Sequence, residues 1–314
     1  MYINKFFIIK KINKFIILLF FFTPILLLSF IYKFYKLKIA LCTMGKLENL
    51  YVKEFILYYK KLGIDKIFIY DDNDINSEKI NDVNPLKNYA IVYEKIKDRI
   101  KNHSDAYTDC YNNNKNKYNW FLMIDMDEYL IIVNDTLKKY LSNPIFNKCD
   151  FIKFHWMIPT DNNLLYYDNR TLFERFKGPY KKSIYVKTII KGGINNLIFN
   201  CHSPLQSPER NISCSNVGKV LRSKRIDKKK YRPINIEKAY IIHYKFKSTE
   251  EFINKYKRGY SNWHKNKTKH LLKKLNNYLK YNKRTKKKLR YIEYKLKINL
   301  SKYYKKRNKK NKKL

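Results

Sequence analysis

The sequence predicts an α/β domain, a mostly parallel sheet flanked by helices, carried behind an N-terminal transmembrane helix. Three observations lead there. Short apolar runs alternate with stretches of helical spacing from Lys38 onward, the pattern of strand–helix–strand units. One apolar run, Phe121–Ile124, passes straight into Asp125, Asp127 and Glu128. The residues from Phe15 to Tyr32 are apolar apart from Thr23, Pro24 and Ser29.

Residues 15–32 form a helix of about 27 Å if fully wound, close to the minimum for a bilayer core. Lys5, Lys10, Lys11 and Lys14 precede it, and no small-residue cleavage site follows. The expectation is a retained signal anchor, with residues 1–14 a basic cytosolic terminus and the domain on the far side of the membrane. That is a single-pass type II arrangement: the lumenal face of the secretory pathway in a eukaryote, a viral or host membrane otherwise. Lys38–Thr43 reads as the first buried strand. Asn49–Leu62 has helical spacing, with Leu50, Phe55, Ile56, Tyr59 and Leu62 on one face and Gly63 as its cap. Ile67–Tyr70 is the second strand, so the first unit is a right-handed parallel crossover. Ala90–Tyr93 is a third strand, Asp105–Lys117 a helix, and Phe121–Ile124 the next strand. Beyond it, Phe151–Trp156 and Tyr185–Ile190 suggest strands, and His202–Arg210 a loop. Ala239–Tyr244 is a short strand and Thr249–Arg258 a helix. The domain is expected over 38–262. Residues 265–314 are dominated by Lys and Arg and read as a basic helical or disordered tail.

The chain has 314 residues and a net charge of +42. A balance this basic ordinarily indicates nucleic acid or anionic membrane. Here Lys, Asn, Ile, Tyr and Phe, the residues of AT-rich codons, are abundant throughout, so Lys stands wherever an exposed polar residue is needed and no specific nucleic acid is expected. Among the five cysteines there is no Cys-x-x-Cys. Cys42 reads as a small core residue. Cys201 and Cys214 share one loop-like region and could pair in an oxidising lumen, a pairing the sequence leaves open.

Asp125 and Asp127 carry the chemistry. Two residues apart at a strand end, they point the same way and repel unless a cation lies between them. Ligands of α/β sheets bind beyond the carboxyl ends of the strands, so the pattern describes a hard divalent cation with room for phosphate oxygens. Asp71, Asp72 and Asp74 end another strand on the same edge, where an acid can bond a ribose hydroxyl or base edge or simply cap a turn. His243 closes a short strand and could complete the metal site. The helix beginning near Ser248 carries Lys255 and Arg258, which suit a diphosphate.

Four segments in order, Cys42–Asp74, Ala106–Asn114, Trp120–Leu130 and His243–Gly259, resemble glycosyltransferase family 92 and related family-2-like enzymes. The resemblance implies a GT-A fold, a UDP-sugar donor, a Mn²⁺-type ion, a glycan or glycoconjugate acceptor and transfer of a galactose-like hexose with inversion. The family's glutamates near the first helix fall on Glu48 and Glu54, and its Asp-x-Asp-Glu on Asp125, Asp127 and Glu128. Its His-Tyr and Lys-x-x-Arg-Gly elements fall on His243, Tyr244, Lys255, Arg258 and Gly259. On this reading Asp125, Asp127 and His243 hold the metal, and Glu48, Asp72, Asp74, Lys255 and Arg258 hold the donor. Inversion in one displacement needs a group to take the acceptor proton; Asp161 and Glu174 are the carboxylate candidates, and Trp156 and Trp263 could stack on sugar faces. The competing class is a non-enzymatic, membrane-anchored protein whose cationic tail binds anionic lipid, polyanion or nucleic acid; it leaves the ordered acid motifs unexplained.

Overall fold

The computed structural model describes residues 37–94, 100, 102–206, 212–221, 230, 232–257, 267–298 and 300. The apolar segment 15–32, Arg258 and Trp263 lie outside them. Among the described residues no helix is long and apolar enough to cross a membrane.

The elements run β1 (Ile39–Gly45), α1 (Asn49–Leu62), β2 (Lys66–Asp71), β3 (Ala90–Glu94), α2 (His103–Asn114), β4 (Trp120–Met123) and β5 (Glu128–Ile132). They continue with α3 (Leu137–Ser142), β6 (Phe151–Pro159), α4 (Leu172–Arg175), β7 (Tyr180–Lys191), β8 (Ile198–Phe199), β9 (Pro204–Gln206) and β10 (Ser213–Ser215). The last four are β11 (Ala239–His243), α5 (Thr249–Lys257), α6 (Lys267–Tyr281) and α7 (Lys286–Leu296). One sheet has the order β3-β2-β1-β4-β7-β6-β11-β5, with β10 also on β6. The first four of these strands are parallel. β7 then runs antiparallel to both β4 and β6, and β5 antiparallel to β11. The sheet is therefore parallel in its first half and mixed in its second, where long β6 and β7 pair as neighbours instead of being joined through a crossover helix.

Alternation along the central strands explains why both faces are covered. Ile39 and Leu41 of β1 belong to one buried cluster and Ala40, Cys42 and Met44 to another; β2 and β4 divide their residues likewise. α1 covers the first face with Tyr51, Val52, Phe55, Ile56 and Tyr59. Leu50, expected on that face, is exposed, because the buried stripe starts one residue later. α1 stops at Gly63, whose φ of 101° is a left-handed cap that lets its N–H bond the Lys60 carbonyl. α2 covers the other face with Ala106, Tyr107, Cys110 and Tyr111.

Two disulfides correct the cysteine reading. Cys42 is tied to Cys110, fastening β1 to α2, and Cys214 to Cys149 rather than to Cys201. Cys201 is exposed and belongs to neither disulfide. The basic C-terminal stretch is helical over much of its length, one of the two forms expected of it, but it packs into the domain as far as Leu300. α6 and α7 bury Leu275, Tyr278, Leu279 and Ile292 in the main core, and the Tyr278 ring stacks on Phe252 at 4.0 Å. The Lys-rich faces of these helices hid an amphipathic core stripe.

Asp161 is the polar pin of this junction. It is 1% exposed and accepts bonds from Lys288 Nζ at 2.6 Å, from the Tyr278 hydroxyl and from the Asn163 N–H. Removing one partner of a buried ion pair strands the other charge, at about 3–5 kcal/mol. Lys288→Ala is expected to lower the unfolding free energy by about that amount in a urea titration. Alkylation of the unfolded, unreduced chain is expected to label Cys201 alone, with the other four cysteines labelled only after reduction, as peptide mass spectrometry would read.

Candidate active site

In the strand order 3-2-1-4 the chain first builds leftward from β1 and then returns to its other side. The switch point between β1 and β4 is where ligands of such sheets bind, and a cleft of ≈ 350 Å³ opens there. Its floor is the turn between β4 and β5. β4 ends at Met123, so Asp125 and Asp127 sit on this turn rather than on the strand, and strand alternation is not what aims them. Met126 anchors the turn. It is buried against Gly45 at the end of β1, where a Cβ would overlap the Met126 sulfur. Asp125 and Asp127 both line the cleft.

Each acid is held by a lysine. Asp125 Oδ1 accepts from Lys187 Nζ at 2.8 Å and from the Tyr107 hydroxyl at 2.8 Å, with His103 Nε2 at 3.8 Å. Burial opposes its ionisation, yet the Lys187 and His103 charges hold its carboxyl well below the usual range. Asp127 Oδ2 accepts from Lys255 Nζ at 2.6 Å and its Oδ1 faces His243 Nε2 at 3.6 Å. Against the same penalty of burial, Lys255 and His243 hold that carboxyl low as well. Glu128 is fully buried. Burial, with the neighbouring charges of Asp125 and Asp127, pushes its carboxyl far up despite Lys187 at 3.4 Å. Its Oε1 faces His243 Nδ1 at 3.7 Å, and among the described residues neither atom has a hydrogen-bond partner. Burial lowers the basicity of His243 against the pull of Asp127, which favours neutral imidazole, the form that binds metals.

Further residues complete the walls. Lys46, Glu48 and Asp72 line the side next to β1 and β2, and Trp156, Cys201 and His202 the side next to β6 and β7. Lys245, Lys255 and Lys274 add cations. Glu48 is buried and bonded to Lys247 Nζ at 2.7 Å. A larger hollow of ≈ 480 Å³ lies at the opposite end of β4, around Leu37, Asn119 and Gly192. It carries Lys115 and Lys191 but neither an acid nor a histidine among its described lining, so the chemistry belongs to the smaller cleft.

The structure brings together seven of the site candidates singled out in the sequence: Glu48, Asp72, Asp125, Asp127, Trp156, His243 and Lys255. Asp74 is mostly exposed and pairs with Lys46 at 3.4 Å, outside the described lining of the cleft. Glu54 accepts the Leu172 N–H with both oxygens, tying α1 to α4. Asp161 and Glu174, the carboxylates considered for the acceptor proton, are not among the described residues of the cleft either. Asp161 is consumed by Lys288 and Tyr278; Glu174 closes a capping box on Thr171 at the start of α4. Residues missed include Lys187 and His202. The signal for Lys187 was a lone lysine in the apolar run Tyr185–Ile190, a position that only a buried partner explains.

A family model of glycosyltransferase family 92 matches residues 35–312. A glycosyltransferase family 92 protein of Oryza sativa subsp. japonica is 26% identical over 106 residues, 33% of this chain and 18% of that protein. The matched part thus spans less than a fifth of that relative's length. Among solved structures, S. aureus TarS 1-349 is similar at 13% identity over 71% of this chain and 64% of that one, with a TM-score of 0.34. HddC from Yersinia pseudotuberculosis is similar at 10% identity over 50% of this chain and 71% of that one, with a TM-score of 0.27. With the family model running through both the acidic turn and the two C-terminal helices, this chain belongs to glycosyltransferase family 92.

Proposed function

We propose that the chain moves a galactose-like hexose from a UDP-sugar to a glycan or glycoconjugate hydroxyl, with inversion at the sugar carbon and with a divalent cation. The observation that carries this reading is the acidic turn: Asp125 and Asp127 both face a cleft whose other walls supply Lys245, Lys255 and Lys274. Ammonium groups around a pair of carboxylates suit a metal–diphosphate ligand.

The residues present fit a Mn²⁺-type ion. Asp127 and His243 would hold it, a carboxylate oxygen and an imidazole nitrogen being a donor set that suits such a cation. Glu128 stands behind His243 as the outer carboxylate that commonly orients a ligating histidine, which accounts for the two buried atoms left without partners. Among the described residues no group of three or more His, Cys, Asp or Glu side chains is placed to hold a metal ion by itself, so diphosphate oxygens and water would complete the coordination. When bound, the ion would neutralise charge growing on the leaving diphosphate.

The chain's own residues do the rest. Lys255 and Lys274 offer charge to the diphosphate. Asp72 and Glu48, at the ends of β2 and β1, flank the side where the nucleoside would lie. Lys187 keeps Asp125 ionised and fixed in place. The two disulfides support an oxidising compartment, consistent with a lumenal domain behind an anchor at 15–32.

Asp127→Asn is expected to keep the fold, read by circular dichroism, and to cut Mn²⁺-dependent UDP release from UDP-galactose by roughly 10²–10³-fold, the rate equivalent of a few kcal/mol of charge stabilisation. EDTA is expected to stop the wild-type chain and Mn²⁺ to restore it. Turnover by the variant at the wild-type rate would remove the metal assignment.

A further inference from the structure

Away from the cleft, two surface bends share one pattern. Asn134-Asp135-Thr136 joins β5 to α3, and Asn169-Arg170-Thr171 leads into α4. Each is an Asn-x-Thr triplet without proline, the acceptor motif for N-linked glycan. Asparagine is abundant in this chain, and the same kind of triplet also begins at Asn102, Asn211, Asn266 and Asn299. The fold sorts them.

Every residue of the Asn134 and Asn169 triplets is exposed. Asn134 has a φ of 55°, a left-handed conformation that asparagine tolerates. The threonines are spent on the helices that follow. Thr136 Oγ1 accepts the Lys139 N–H at 3.3 Å to cap α3, and Thr171 Oγ1 accepts the Glu174 N–H at 3.2 Å to cap α4. In neither cap does the asparagine take part.

Asn102 is arranged differently. All three residues of its triplet are half-buried. Its Oδ1 accepts the Ser104 and Asp105 N–H groups, and its Nδ2, the atom that a glycan takes, donates to Asp105 at 3.1 Å. His103, the middle residue, lines the cleft. Asn211, Asn266 and Asn299 lie outside the described residues.

The two exposed triplets are also set apart from the site. β5 leaves the cleft floor with Glu128 opposite His243 and ends with Ile132 opposite Ala239, so Asn134 follows the end of β5 remote from the acidic turn. Neither triplet contributes to the described lining of the cleft. The disulfides Cys42–Cys110 and Cys149–Cys214 suit an oxidising lumen, the setting in which secreted chains receive such glycans.

We propose that Asn134 and Asn169 are N-glycosylation sites of this chain. The inference rests on the lumenal placement argued above and is independent of the transferase reading. The donor is an oligosaccharide joined through a diphosphate to a membrane lipid. The asparagine Nδ2 bonds to its anomeric carbon, the carbon–oxygen bond to the diphosphate breaks, and the electron pair leaves with the lipid diphosphate. The amide proton passes to a base.

The test expresses the full chain in cultured mammalian cells. Its peptides are treated with peptide N-glycosidase in heavy-oxygen water, which turns each occupied asparagine into a labelled aspartate. The same sample is mapped for disulfides. The expected result is label at Asn134 and Asn169 and none at Asn102. Asn134→Gln and Asn169→Gln are each expected to lose one glycan step on a gel, and the double variant both. Absence of label at Asn134 or Asn169 in a disulfide-bonded chain overturns the assignment of that residue. Label at Asn102 to the same extent overturns exposure as the ground for choosing the other two. A chain recovered with all its cysteines reduced removes the lumenal placement and this inference together.

Discussion

The interaction on which the site depends is the contact of buried acids with lysine ammonium groups. One ammonium, Lys187 Nζ, is completely enclosed and reaches Asp125, Glu128 and the Cys201 carbonyl at once. The same solution recurs at Glu48–Lys247, Asp127–Lys255 and Asp161–Lys288. Burying a charge is costly unless it is paired and hydrogen-bonded. Because acids are few and lysines many in this chain, these buried carboxylates find a counter-ion at hand, while buried Asp71 is met by the backbone N–H groups of Asn73 and Ile80. Geometry then decides which carboxylates remain turned toward the cleft and which are consumed in the interior.

The first half of the fold was legible because its signals are local. The continuous apolar runs of β1 and β4, the apolar stripe of α1 and the cap at Gly63 each act within a few residues. The antiparallel arrangement of β6 and β7 was not legible, since it depends on pairing between distant segments whose sequences read equally well as parallel strands. The packing of the C-terminal helices was hidden for a different reason. Their lysines dominate by number, while the few residues that matter, Leu275, Tyr278, Leu279 and Ile292, lie at helical spacing among them.

The site divides along the same line. Asp125, Asp127, His243 and Lys255 announced themselves by residue type at the end of an element. Asp161 and Glu174 had the right type, but only three-dimensional packing reveals that one is pinned by Lys288 and the other spent on a cap. His202 was invisible because its place in the cleft wall is set by bonds to Val186 and Thr188, whose carbonyl and hydroxyl have no sequence signature. Lys187 stood in view as a cation within an apolar strand, and its partners gave it sense.

The Asp161–Lys288 contact spans 127 positions of the chain. Lys274, near the same end, borders the cleft from α6. A ribosome that has delivered every strand has therefore still not delivered the parts that settle Asp161 and finish the cationic wall. Long-range closure of this kind comes late. A competent pocket therefore waits until α6 and α7 have followed β11 out of the synthesis machinery, and a lesion in either helix reaches the cleft.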